Sequence, residues 1–212
     1  YLNPDMNHTI KLSIFVLAAS APVLSIQAQE LRLSGGYNGS NVSEAGPEMW
    51  VGRAGYQFGA DVQLGQRWFL QPGIHLQVRN LNYTLAGTDA NGNPTGTNTE
   101  FKYTDRSLRV PIMAGLNLMD PAKDPAFNVY LLGGPTALFL LKADLDNDAL
   151  DIQTSKSQWY LGFGGGASFS FLFVEAGYDV AMSDVFSGNG FQTDPKVNQF
   201  RVLAGLRFRL AQ

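Results

Sequence analysis

The chain has 212 residues, carries a formal net charge of −3 at pH 7 and contains no cysteine, which excludes disulfides and thiol chemistry. A pI near 5.3 leaves no basic footprint for nucleic acid. Only 16% of residues are charged, while Gly supplies 23 residues, Phe 14 and Tyr 8, a mixture suited to strands, close backbone contacts and turns rather than helices.

The segment MNHTIKLSIFVLAASAPVLSIQAQE has the parts of a secretory leader in order: Lys11, then an apolar run over 12–26, then the small residue Ala28. Residues 1–29 are therefore read as a leader. Its signal peptide starts at Met6 and is removed after Ala28 or Gln29, leaving 30–212 as one domain. Pro22 and Ser25 interrupt the apolar run, which falls short of the roughly 20 residues that a spanning helix requires.

Beyond the leader, strands are predicted over 31–38, 53–64, 68–83, 102–118, 127–141, 158–169, 171–180 and 198–210. In the second, Ala54, Tyr56, Phe58, Ala60, Val62 and Leu64 alternate with Gly55, Gln57, Gly59, Asp61 and Gln63. The third sets Trp68, Leu70, Pro72, Ile74, Leu76 and Val78 against Gln71, Gly73, His75, Gln77 and Arg79. The fourth, seventh and eighth alternate in the same way. The fifth, FNVYLLGGPTALFLL, is apolar on both faces; Gly133, Gly134 and Pro135 argue against a helix, and Pro135 predicts a bulge or local distortion.

Connections of little more than GQR and FSF, together with MDPAKDPA, fall at one end of the strands. NVSEAGPEMWVG, AGTDANGNPTGTNTEF, KADLDNDALDIQTSKS and AMSDVFSGNGFQTDPKV fall at the other. The expected fold is all-β: an eight-stranded antiparallel up-and-down transmembrane β-barrel with short periplasmic turns and longer extracellular loops. A soluble barrel or sandwich would show the same alternation with its apolar face inward. Three features favour lipid: polar faces rich in Gly and Gln, strands long enough to cross a bilayer, and aromatics near strand ends at Tyr56, Trp68, Tyr83, Trp159 and Phe208. The expected location is the outer membrane.

The inward set is expected to hold Arg32, Arg53, Asp61, His75, Gln77, Arg79, Asp105, Arg109, Tyr160, Glu175, Asp179, Arg201, Arg207 and Arg209, with the carboxylates paired to arginines. An eight-stranded barrel is just wide enough for such side chains to fill it, so packing is favoured over a transport path. Catalysis would need a histidine beside a nucleophile. After leader removal only His75 remains, no GxSxG is present, and Ser183–Asp184 has no local histidine. No catalytic, cofactor-binding or metal residues are assigned. The loop DLDNDALD places Asp144, Asp146, Asp148 and Asp151 close together, but Ala149 and Ser155 stand where a calcium loop needs Gly and Glu, leaving a solvated acidic loop.

The segments SLRVPIMAGLNL and NVYLLGGPTALFLL, with Leu108, Pro111, Ile112, Gly134 and Pro135 at the marked positions, resemble the PorT-like outer-membrane β-barrel domain of Bacteroidota. GFGGGASF and VLAGLRFRL look like that family's last hairpin, although Phe208 is followed by RLAQ rather than closing the chain on an aromatic. The resemblance implies an outer-membrane barrel, some relatives of which serve type IX secretion or gliding, and it supplies no catalytic residues. The expected role is a non-enzymatic structural or partner-binding component of the cell envelope. It would meet lipid, lipopolysaccharide or an envelope protein, with a narrow porin as the alternative and a lipid-modifying enzyme third.

Overall fold

The computed structural model describes residues 29–43, 49–88, 94–119, 126–145, 155–183 and 196–210. Residues 1–28 of the expected leader and most of the acidic loop, from Asp146 to Asp151, lie outside them, as do Asp184 and the Tyr83 side chain. Eight strands form: β1 (Gln29–Ser43), β2 (Met49–Gly65), β3 (Trp68–Thr88), β4 (Pro94–Asn117), β5 (Phe127–Leu145), β6 (Ser157–Phe169), β7 (Leu172–Ala181) and β8 (Lys196–Leu210). Each pairs antiparallel with its sequence neighbours, and β8 returns to β1, closing the barrel.

Partners traced around the wall from Gln29 run through Leu64, Leu70, Ala114, Gly133, Phe163, Tyr178 and Phe200 and return to β1 at Gly39, ten residues further on. Eight strands with a stagger of ten tilt by about 40° at ordinary strand rise and spacing. On β3 the outward apolar residues run from Trp68 to Val78, and along β4 from Leu108 to Leu118 just past its end. Either stretch climbs about 25 Å at that tilt, the height of an outer-membrane apolar band. Outward residues such as Phe58, Ile74, Ile112, Leu161 and Phe163 are exposed, while their inward neighbours are buried. Trp68, Phe169 and Phe208 ring the band at the short-turn end, with Tyr56 and Trp159 toward the other.

The short turns and the start of β1 share the periplasmic end with the last residues of β8. Gly65 turns β2 into β3 with φ +113°, and Ser170 adopts φ +52° between β6 and β7. The Asn117 amide nitrogen donates to the Arg67 carbonyl at 2.8 Å, tying the first turn to the foot of β4.

Three sequence expectations change. Arg53, expected inside, faces outward, because the β2–β3 register shifts between Arg53 and Tyr56 and pairs Arg53 with outward Asn80. Pro135 makes no bulge, since β5–β6 pairing runs unbroken from Gly134↔Gly162 through Pro135↔Leu161 to Thr136↔Tyr160, but the β4–β5 ladder is interrupted beside it, between Pro111↔Thr136 and Ala114↔Gly133. The segment AGTDANGNPTGTNTEF, expected as a loop, is largely strand, since β3 continues to Thr88 and β4 starts at Pro94. The β3–β4 hairpin therefore rises as a ribbon roughly 30 Å beyond the apolar band.

Ile112 sits outward near the middle of the apolar band, so Ile112→Arg is expected to weaken folding into lipid vesicles by about 2–4 kcal/mol. Thr97→Arg, on the exposed ribbon, is expected to leave it unchanged. Equal folding yields for both variants would mean that the inner and outer faces are exchanged.

Candidate functional site: the charged lumen

Period two turns one side chain in two into the barrel, and eight strands bring those side chains within reach across it. They meet in three tiers. In the lowest, the Arg32 guanidinium lies between the rings of Tyr130 and Phe173, 4.6 and 4.7 Å from their centroids. It donates to Gln71 Oε1 at 3.3 Å and lies 3.7 Å from Glu30 and 4.0 Å from Glu175. Phe69 meets Tyr130 edge-on at 6.0 Å, within a cluster completed by Met113 and Leu132. Arg207 closes the floor by donating to the carbonyls of Ser170 at 2.6 Å and Ala126 at 3.3 Å and to Glu30 at 3.4 Å. Arg209, expected inside, is half exposed at the mouth, where it donates to Glu30 at 3.1 Å.

The middle tier centres on Asp179, which accepts from Arg109 at 3.0 Å and from Arg201. Arg201 also lies 3.9 Å from Glu175, and Tyr130 donates to Glu175 at 3.2 Å. Glycines make the room: a Cβ at Gly177 would meet the Arg201 guanidinium, and one at Gly162 would meet Asp179. In the top tier Arg79, with no exposed surface, sets Nε and Nη2 each 2.6 Å from Asp105 Oδ2. Arg79 Nη1 donates to Gln158 at 3.3 Å and to the Tyr160 hydroxyl at 3.2 Å, and Gln77 donates to Gln199 at 2.6 Å.

Twelve of the fourteen expected inward residues are buried as read; Arg53 and Arg209 are not. The expected arginine pairing holds for Asp105, Asp179 and Glu175, but Asp61 pairs with His75, its Oδ1 lying 2.9 Å from Nε2. Glu30, Gln71, Tyr130, Gln158, Phe173 and Gln199 belong to the network and were missed. Inward parity was their available signal, but polarity alone did not say which residues meet across the barrel.

A groove of about 680 Å³ on the lipid face is lined by Leu33, Phe58, Ala60, Ile74, Leu76, Leu108 and Leu206, and Ser34, Gly59 and His75 form its floor. Nucleophilic chemistry there would need Ser34 hydrogen-bonded to His75. Ser34 Oγ and His75 Nδ1 have no hydrogen-bond partner among the described residues, and His75 Nε2 faces Asp61. His75 is thus a packed member of the lumen network. Among the described residues, no group of three or more His, Asp or Glu is placed to hold a metal ion.

The Arg79–Asp105 pair offers a direct test. Arg79→Met is expected to destabilise the barrel by about 3–5 kcal/mol in urea titration, because it strands a buried carboxylate. Arg79→Met combined with Asp105→Leu is expected to recover most of that loss. A double variant as unstable as the sum of the two singles would show that the pair is not coupled.

With three tiers of side chains bridging opposite walls, the geometry is that of a small, filled barrel in lipid. The crystal structure of the outer membrane protein OprG from Pseudomonas aeruginosa shares this fold at 10% identity and a TM-score of 0.55, covering 87% of this chain and 97% of its own. The attachment invasion locus protein Ail of Yersinia pestis, in complex with the heparin analogue sucrose octasulfate, matches at 18% identity and TM-score 0.47, over 85% of this chain and 99% of its own. Neisserial surface protein A matches at 14% identity and TM-score 0.48, over 86% and 97%. No curated protein matches this sequence. Residues 26–187 match the outer membrane protein beta-barrel domain, and the chain belongs to that family of outer-membrane barrels.

Proposed function

We propose that this barrel is a non-enzymatic structural or partner-binding component of the cell envelope, acting through what it presents outside the membrane and not through its lumen. The leader over 1–29 would be removed on export, and the PorT-like motifs around Leu108–Ile112 and Gly134–Pro135 make that branch of the family the one proposed. The observation that carries this reading is the set of contacts between opposite walls: Arg32 to Tyr130, Arg109 to Asp179, Arg79 to Tyr160 and Gln77 to Gln199. Arg79 and Asp105 have no accessible surface, so an ion crossing the barrel would have to break their pair. The narrow-porin alternative is disfavoured on the same ground.

The β3–β4 ribbon is the largest described feature beyond the band, and it supports a role in meeting an envelope protein or surface glycolipid. Pure protein in planar bilayers is expected to show no stable conductance step, and a photo-crosslinker at Thr97 is expected to yield a discrete adduct in native membranes that one at Gln66 does not. Reproducible nanosiemens-scale openings from the monomer would replace this proposal with the porin.

A further inference from the structure

Two register shifts in the wall have the same consequence. On β2, Tyr56 pairs with Val78 but Arg53 with Asn80, so one extra residue is taken up between them. Without it, Arg53 would share the inward parity of Gly55 and Gln57. On β5, Leu140 pairs with Ser107 but Lys142 with Arg106, so Leu141 is the extra residue. Without it, Lys142 would share the inward parity of Thr136 and Leu138. Each irregularity turns a cation from the lumen to the outer wall.

Both cations arrive beside others. Lys102 and Arg106 face outward on β4, so four adjacent strands present Arg53, Asn80, Arg106 and Lys142 as their first polar outward side chains beyond the apolar band. Arg53, Asn80, Asn82, Lys102 and Thr104 line a hollow of about 350 Å³ on this face. Asn80 is fixed in place, donating to the Ala54 carbonyl at 2.7 Å and accepting from Thr104 at 2.9 Å. Two carboxylates lie nearby: Asp144 is 2.6 Å from Lys142, and Glu100 accepts from Asn82 at 3.4 Å. Among the described residues, Arg53, Lys102 and Arg106 have no ion-pair partner. Around the other half of the wall, the described cations at the extracellular end are Lys156 and Lys196, held apart at the starts of β6 and β8.

Cations aimed sideways at the edge of the apolar band face the headgroups of the outer leaflet, where the matching anions are phosphates. Arg suits them because its planar fork holds two oxygens at once. We propose that the β2–β5 face, through Arg53, Lys102, Arg106 and Lys142, binds the phosphates of an outer-leaflet glycolipid at a fixed site. This rests on the outward-presenting reading of the barrel and names one ligand for it.

The test is native mass spectrometry of the folded full chain in detergent with chelator present, titrated with bisphosphorylated lipid A. The wild type is expected to retain one lipid A molecule, with dephosphorylated lipid A and phosphatidylglycerol held at least about tenfold more weakly. The Arg53→Gln/Arg106→Gln variant is expected to lose at least about tenfold in lipid A affinity, while Lys156→Gln/Lys196→Gln matches wild type. Heat-modifiable gel mobility checks that each variant is folded. Equal retention of the dephosphorylated lipid or phosphatidylglycerol, equal binding by the Arg53→Gln/Arg106→Gln variant, or equal loss in the lysine control would overturn the proposal. Conductance of the same preparations reads the closed lumen separately, so a conducting barrel that still holds lipid A overturns only the functional reading above.

Discussion

Hydrocarbon offers a backbone amide nothing to bond to, and everything else in this molecule follows from that constraint. Each strand must find both neighbours within the chain, so the ladder closes from β8 back to β1. With only eight strands, closure leaves a lumen the width of a few side chains. The apolar residues are consumed on the outside against lipid, and the polar ones are left to build the core. Arg32, Arg79, Arg109, Arg201 and Arg207 then stand inside with Glu30, Asp61, Asp105, Glu175 and Asp179. Burying so many ions is tolerable only where each has partners, and the two signs balance in number although single carboxylates such as Asp179 and Glu30 serve more than one arginine.

Geometry decides which pairs form. Arg109 on β4 and Asp179 on β7 are far apart around the wall but meet through the middle, and Arg201 on β8 closes on the same carboxylate from the adjacent strand. Arg32 spans the lumen to Tyr130 on β5, where two rings take up the flat faces that its hydrogen bonds leave free. At the foot, Arg207 ties β8 to the β6–β7 turn and to Ala126 ahead of β5, so the lowest tier also braces the periplasmic turns. Inward glycines beside the bulky groups are part of the same packing, as Gly177 is for Arg201.

The strands, their antiparallel order and most inward residues were legible in the sequence, because period two is imposed directly by the pleat and lipid enforces the contrast between faces. Partner choice was not legible. Asp61 turned to His75 rather than to an arginine, which depends on Gly59 leaving space for the ring. The β3–β4 ribbon was invisible because above the membrane neither face meets lipid, so its Thr, Asn and Gly residues carry no alternation. Pro135 interrupts the ladder only on the β4 side and shifts no register, since it points outward and keeps its pairing with β6, and the bare Gly134 beside it lets the Ile112 carbonyl approach closely. A one-residue bulge leaves almost no trace in composition, so Arg53 was placed on the wrong face by counting that was correct up to Tyr56.

Those bulges also reconcile the two surfaces of the barrel. Had the alternation run on undisturbed, Arg53 and Lys142 would have entered the upper lumen beside Arg79. Arg79 already occupies Asp105 there, with Ser107, Gln158 and Tyr160 completing the set, and no further described carboxylate stands at that height to receive two more positive charges. One added residue in each of two strands moves both charges from the lumen to the lateral wall, where headgroups and water can solvate them. The same step keeps the interior close to neutral and concentrates positive charge on one outward face. A closed lumen and a cationic flank are therefore two results of where the alternation is broken, and the four strands β2 to β5 carry both.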